Sequence, residues 1–262
     1  MNSKSQRIRI CLSYDGQSFF GWQKQPNVEP TLQGLLEDRI SQIYNTKVAV
    51  VGSGRTDRGV HALNQWAHFD LPLQANDLSN LRYKLNRMTP ESVWIKSLES
   101  APADFHAQIS AESKCYKYRL LPGTEQSPFQ QGHSWVLGKP IDLNYLQNLA
   151  SQFLGKHDFS SFQSQGTPVS TPVREIHISR WVQRKSGILE YQIKGSGFLK
   201  QMVRNMVGTM IKLEQLQAPS EELSRILTSC DRGLAAAPAP PQGLFLASVQ
   251  YPKNLDNKCR KL

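Results

Sequence analysis

The 262-residue sequence predicts a two-layer α+β fold of two ferredoxin-like halves, each running β-α-β-β-α-β, with antiparallel sheets side by side. Two observations carry that reading. Period-two and helical apolar patterns alternate in that order from residue 7 to residue 100, and the same order returns from residue 114 to residue 251. The seam falls near residue 105, so the halves are residues 1–105 and 106–262. The repeat is one of pattern, without evident identity between the halves.

Each element has a local reason. RIRICLSYDG places Ile8, Ile10, Leu12 and Tyr14 on one side of a strand and Arg7, Arg9, Cys11 and Ser13 on the other. After the loop QKQPNVEP, Thr31 can cap a helix carrying Leu32, Leu35, Leu36, Ile40 and Ile43 at helical spacing. KVAVVG and NQWAHFDL read as strands, NDLSNLRYKLNRM as a helix stopped before Pro90, and VWIKSLES as the next strand. The second half offers the strand KCYKYRLL, the helix DLNYLQNLASQFLG and the strands EIHISRWVQR and ILEYQIKG. A helix from Leu199 to Leu216, a short one near SEELSRILTS and the strand GLFLASVQY complete it. LPGTEQSPFQQGHS and QSQGTPVSTPV are polar loops, AAAPAPPQG is too rich in proline for a helix or strand interior, and the tail after Pro252 reads as solvated.

Composition narrows the function. Lys and Arg outnumber Asp and Glu by 31 to 21, a formal charge of +10 spread along the chain, which favours a polyanionic partner. Four dispersed cysteines give no CxxC pair and no zinc spacing, so they read as reduced thiols. The amino terminus lacks a signal-peptide pattern, and no apolar run is long enough to span a bilayer, so a cytoplasmic protein is expected.

The stretch GSGRTDRGVH sets one acid, Asp57, between Arg55 and Arg58, with glycines at 52, 54 and 59. It lacks GxGxxG, and its GxxxxG is followed by Val60 and His61 instead of the Lys and Ser or Thr of a phosphate loop. What remains is a turn in which Asp57 caps amides, or a loop presenting one carboxylate to a ligand. The arginines favour the second reading, since they hold phosphates and favour an ionised acid able to act as nucleophile or base. His61 has no partner at triad spacing.

On the Leu199–Leu216 helix an apolar stripe runs from Leu199 through Met202, Met206 and Met210, and Gln201, Arg204, Asn205 and Gly208 lie opposite. They form a solvated face, or Arg204 aims into a cleft to pair with an acid. In SKCYKYRL, Lys114, Tyr116 and Tyr118 share one face and Cys115, Lys117 and Arg119 the other. Such tyrosines usually pack, but the interleaved cations suit a platform where a base stacks with phosphates nearby.

With these stretches in hand, the sequence resembles the tRNA pseudouridine synthase A family. YDGQSFFGWQKQP, GRTDRGVHALNQWAHFD, DFHAQISAESKCYKYRL, GKHDFSSF, GFLKQMVRNMVG and PPQGLFLASVQY look like its signature blocks, in family order. The resemblance implies an isomerase that converts uridines 38, 39 and 40 of the tRNA anticodon stem-loop to pseudouridine, without metal or organic cofactor. It also implies a homodimer and a basic cleft between the two halves. Asp57 matches the catalytic aspartate, Tyr118 the tyrosine that stacks on the target base, and Arg204 the arginine paired with the aspartate. Arg55 and Arg58 fall where the family loop meets RNA, and Tyr116 joins the substrate-binding set. Gln108 stands where the family usually has Arg, and Arg58 where a small residue is common.

Three other readings stay open at this level. A non-catalytic ferredoxin-like RNA-binding protein would lack turnover, although no KGFGFV-like aromatic strand is present. An aspartate-dependent hydrolase would release free uracil, although glycoside cleavage normally uses two carboxylates. A related synthase acting on another RNA shares the chemistry.

Overall fold

The structure, a computed structural model, describes residues 5–72, 77–123, 132–166 and 169–260. Residues 124–131 of the loop LPGTEQSPFQQGHS, and 167–168 of QSQGTPVSTPV, lie outside the described residues. The chain divides into two compact units, Met1–Glu112 with Leu246–Leu262, and Ser113–Phe245. The sequence placed one seam near residue 105; in the structure residues 106–112 and the last segment of the chain belong with the first unit.

In the first unit β1 (Ser5–Tyr14), α1 (Leu32–Tyr44), β2 (Val51–Gly52), β3 (His61–Pro72), α2 (Leu78–Met88) and β4 (Val93–Ala101) follow the expected order. The strands run β4-β1-β3, with β2 paired to β3, so the first strand is central. Antiparallel register sets Ile8 against Phe69 and Ile10 against Ala67 and Leu98. Ile8, Ile10 and Leu12 are wholly buried, as are Leu32, Leu36 and Ile40 of α1 and Leu85 of α2. Thr31 caps α1 by accepting from the Gly34 amide, and Asp77 caps α2 by accepting from Asn80.

The opposite face of β1 is covered as well. Arg7 grips Asp70 with two parallel bonds of 2.9 Å and donates to the carbonyls of Ala103 and Phe105. Arg9 is buried, paired with Glu99 and Asp256, its guanidinium 4.7 Å from the Trp66 ring centroid. Asp256 belongs to a short helix, and Arg260 beyond it bridges Ser100. The tail after Pro252 is thus tethered by an ion pair and a β-bridge, while Lys253, Asn254, Asn257 and Lys258 are exposed, in keeping with the solvation expected from its polar composition.

The second unit contains β5 (Ser113–Leu121), β6 (Trp135–Val136), α3 (Leu143–Ser151), β7 (Gly155–Asp158), β8 (Val173–Gln183), β9 (Leu189–Gly195), α4 (Met202–Gln215) and α5 (Glu221–Ser229). Its strands run β5-β9-β8-β7, antiparallel, with β6 parallel to β5. Tyr118, Leu120, Tyr191 and Ile193 from the strands, Leu146 and Leu149 from α3, and Met206, Val207 and Met210 from α4 are fully buried. β10 (Leu244–Gln250) crosses the division: Leu244 and Phe245 count with the second unit and the rest with the first, next to β3. α6 (Lys253–Asp256) follows it.

Candidate active site

In the first unit the Asp57 loop joins β2 to β3 over a layer of buried hydroxyls. Ser53 is fully buried, and its hydroxyl donates to Gln65 Oε1 at 2.6 Å. Gln65 Nε2 returns a 2.8 Å bond to the Gly54 carbonyl, and the Ser53 amide donates to the Trp66 carbonyl at 2.7 Å. The Tyr14 hydroxyl lies 2.8 Å from Thr56 Oγ1, and burial raises its pKa far above the usual phenol value, so it stays protonated. These groups satisfy one another away from water and fix the chain on both sides of Asp57.

The segment FFGW packs on the same loop. The Trp22 amide donates to the Thr56 carbonyl at 3.0 Å. A Cβ at Gly52 would sit 2.5 Å from the Trp22 ring, so this glycine makes room for the indole. Asp57 itself is half-buried, its carbonyl accepting from the Val60 amide at 3.1 Å across a turn that uses the left-handed φ of +77° at Gly59. Arg55 and Arg58 are exposed on either side, and the Arg58 guanidinium lies 4.3 Å over the Phe20 ring. His61 faces elsewhere: Nδ1 is 3.2 Å from the Gly16 amide and from Asp15 Oδ1.

In the second unit β5 carries Tyr118 and α4 carries Arg204. Tyr118 is fully buried, its hydroxyl donating to the Pro240 carbonyl at 2.9 Å and its ring edge-on to Trp135. A Cβ at Gly243 would meet the Tyr118 ring at 2.6 Å. Burial raises the phenol pKa, and the positive charge of Arg204 opposes that rise, so the two groups lie within electrostatic reach. Arg204 Nε donates to the Ala239 carbonyl at 2.8 Å, and the Ala239 amide donates back to the Arg204 carbonyl at 2.9 Å. The proline-rich segment thus seats the arginine.

The polar side of α4 is not a solvated face. Arg204, Asn205, Gly208 and Thr209 are all buried, and Asn205 bonds the Phe162 carbonyl at 2.7 Å and receives Arg232 at 3.0 Å. The reason is the chain from residue 235 to 241, whose backbone supplies partners that periodicity on the helix does not reveal. Tyr116 is buried edge-on to Phe198, and Phe105 is wholly buried. His106 Nδ1 accepts from the amides of Gln108 and Ile109, leaving the Gln108 side chain exposed.

The structure therefore brings Asp57, Arg55 and Arg58 together on one supported loop, and Tyr118 and Arg204 together in the other unit, with Tyr116 two residues along β5. The supporting residues Tyr14, Ser53, Thr56 and Gln65 escaped sequence reasoning. One signal for them was present: Gln65 sits in a strand at a position where alternation calls for an apolar side chain.

The sequence profile of a family described as tRNA pseudouridine synthase matches residues 10–108 and 149–252. The chain belongs to the tRNA pseudouridine synthase family. The two matched segments contain Asp57 and Arg204, and Tyr118 lies between them. Full-length relatives in this family include tRNA pseudouridine synthase A of Bdellovibrio bacteriovorus, 42% identical over 98% of this chain and 99% of its own. The Maridesulfovibrio salexigens protein of the same name is 42% identical over 94% and 90%, and that of Lactococcus lactis IL1403 36% over 95% and 99%. A chain of the solved Cbf5-Nop10-Gar1 complex superposes with a TM-score of 0.35 at 9% identity, covering 91% of this chain and 57% of that one.

Proposed function

We propose that this chain isomerises uridine to pseudouridine in tRNA, at positions 38, 39 and 40 of the anticodon stem-loop, and does so as a homodimer. The observation that carries the reading is the setting of Asp57. In a member of this family, one carboxylate stands half-buried on a loop locked from beneath by the Tyr14, Thr56, Ser53 and Gln65 bonds, between two exposed arginines.

The reaction accounts for the single acid. The bond from ribose C1′ to N1 breaks, the uracil turns, and C1′ bonds to C5. The proton on C5 leaves and N1 gains one, so atoms and electrons balance without an added group. Asp57 starts this by attacking C1′ or the ring, or by removing a ribose proton. A loop that is already ordered holds the carboxylate in place before the substrate arrives. The target nucleotide must leave the stack, at a cost of roughly a few kcal/mol. Arg55 and Arg58 offset that cost by holding phosphates, and the Arg58–Phe20 pair offers a flat cationic surface at the vacated position. Arg204 supplies a cation to the bound nucleotide. Tyr118 and Tyr116 form the aromatic side, and a base reaches the Tyr118 ring once the segment around Gly243 gives way.

The test is release of tritium from uracil C5 in unmodified anticodon-arm transcripts, with each of the three uridines replaced in turn. Asp57→Asn should abolish release while RNA binding persists. Turnover by that variant would overturn the proposal, and free uracil as product would point to hydrolysis instead.

A further inference from the structure

Lys114, at the start of β5, lies opposite Gly195 at the end of β9, and Gly195 in turn lies opposite Ile176 of β8, two residues after Arg174. Three strands thus end together. The approach is close because Gly195 has no side chain: a Cβ there would meet the Glu175 carbonyl and Ile176 at 2.7 Å. Just past that point Gly197 faces the Arg174 side chain, a Cβ there being 3.5 Å from Nε. Lys114 and Arg174 are both half-buried.

Neither cation meets a carboxylate among the described residues. Arg174 uses Nη1 on the carbonyls of Thr171 and Val173 at 2.8 and 2.7 Å, which fixes the guanidinium while leaving its other nitrogens for a ligand. The neighbouring acid, Glu175, turns its side chain to His177 at 4.0 Å. Burial, with Arg174 adding repulsion, lowers the Lys114 ammonium to about 8. Burial alone lowers Arg174. Two positive charges held side by side without a counter-charge form a local excess that an anion relieves.

We infer that Lys114 and Arg174 form a phosphate subsite that holds the RNA backbone beside the target nucleotide. The inference rests on the reading of the substrate as RNA. Lys114 shares its face of β5 with Tyr116 and Tyr118, and four residues of strand put it roughly 13 Å from Tyr118. That distance suits a neighbouring phosphodiester better than one belonging to the flipped nucleotide. Arg174 supplies a planar fork for the two non-bridging oxygens of the phosphodiester, and Lys114 adds a point charge beside them.

The experiment has two arms. In the first, wild-type protein and Lys114→Met are titrated with an anticodon-arm transcript over a range of salt. The magnitude of the slope of log affinity against log salt should fall by about 0.7–0.9, so that between 50 and 200 mM salt the variant loses about threefold less affinity than wild type. KM should rise with kcat unchanged. In the second, wild-type protein is acylated at pH 8 with and without inorganic phosphate, and Lys114 labelling read by mass spectrometry should fall when phosphate is present. An unchanged slope together with unprotected Lys114 overturns the subsite even if the transcript is turned over. Phosphate protection of Lys114 without binding of the transcript would instead overturn the RNA reading and leave an anion site. The second arm needs no variant, so misfolding of Lys114→Met cannot mask the answer.

Discussion

Replacing Gly208 by Ala sets two physical effects against each other with opposite signs. Gly208 lies inside α4, where alanine favours the helix by about 1 kcal/mol. A Cβ at this position, however, would stand 2.1 Å from the Ala237 carbonyl oxygen and 3.1 Å from the Ala239 amide nitrogen. Both are backbone atoms and cannot rotate away, so the segment must shift, at a cost of about 2 kcal/mol for overpacking. That shift pulls on the two bonds joining Ala239 to Arg204, worth about 1 kcal/mol each. The net loss is about 3 kcal/mol, or a fall of about 6–12 °C in Tm by calorimetry. Tritium-release turnover should fall with it, because Arg204 loses the carbonyl that orients it. A Tm that rises by about 2–4 °C with turnover intact would show that helix propensity decides the site and that the proline-rich segment does not seat Arg204.

Two further outcomes follow from the first unit. Tyr14→Phe removes the hydroxyl at 2.8 Å from Thr56 and leaves a buried oxygen without that partner, costing about 1–2 kcal/mol in chemical denaturation. kcat should drop more than KM rises, since the loop beneath Asp57 loosens; unchanged kcat would sink the supporting role. His68 accepts the Ala107 amide at 3.1 Å, and burial, with Arg7 and His106 nearby, lowers its pKa to about 4. The unfolded chain therefore binds this proton first as pH falls. The stabilisation is complete above about pH 6.5 and is lost on acidification toward pH 4, at up to about 1.4 kcal/mol per unit. Thermal midpoints from pH 7 to pH 4.5 should fall more steeply for wild type than for His68→Asn, and parallel curves would refute the assignment.

Local chemistry made much of this legible. Alternation in RIRICLSYDG located β1 and its buried face, Thr31 marked a helix start, and the lone acid between arginines marked the loop. What escaped was anything decided by a distant segment. The polar stripe of α4 carried the pattern of a wet surface, and the backbone of residues 235–241, with Phe162 and Arg232, makes it interior. Tyr118 carries the pattern of an open platform, yet Gly243 and Trp135 cover its ring. Arg9 looked outward on its strand, while Glu99 and Asp256, 90 and 247 positions away, enclose it. Periodicity reports which face of an element is apolar; it does not report what later arrives to cover the other face.

The return of residues 246–262 to the first unit constrains how the protein is made. A ribosome delivers β1 to β4 early, but the Tyr251 hydroxyl that binds the Ala107 carbonyl and the Asp256 carboxylate that meets Arg9 emerge only after the second unit. Until then Arg9 has Glu99 for company and half of its charge complement is still to come. The second unit is synthesised entirely within that wait, as its residues 113–245 form one continuous stretch. Nascent chains commonly fold from the amino terminus onward. Here the order is inverted: the unit that bears the Asp57 loop is begun before the second unit and closed after it, so a translation product interrupted before residue 246 would leave the Asp57 unit incomplete.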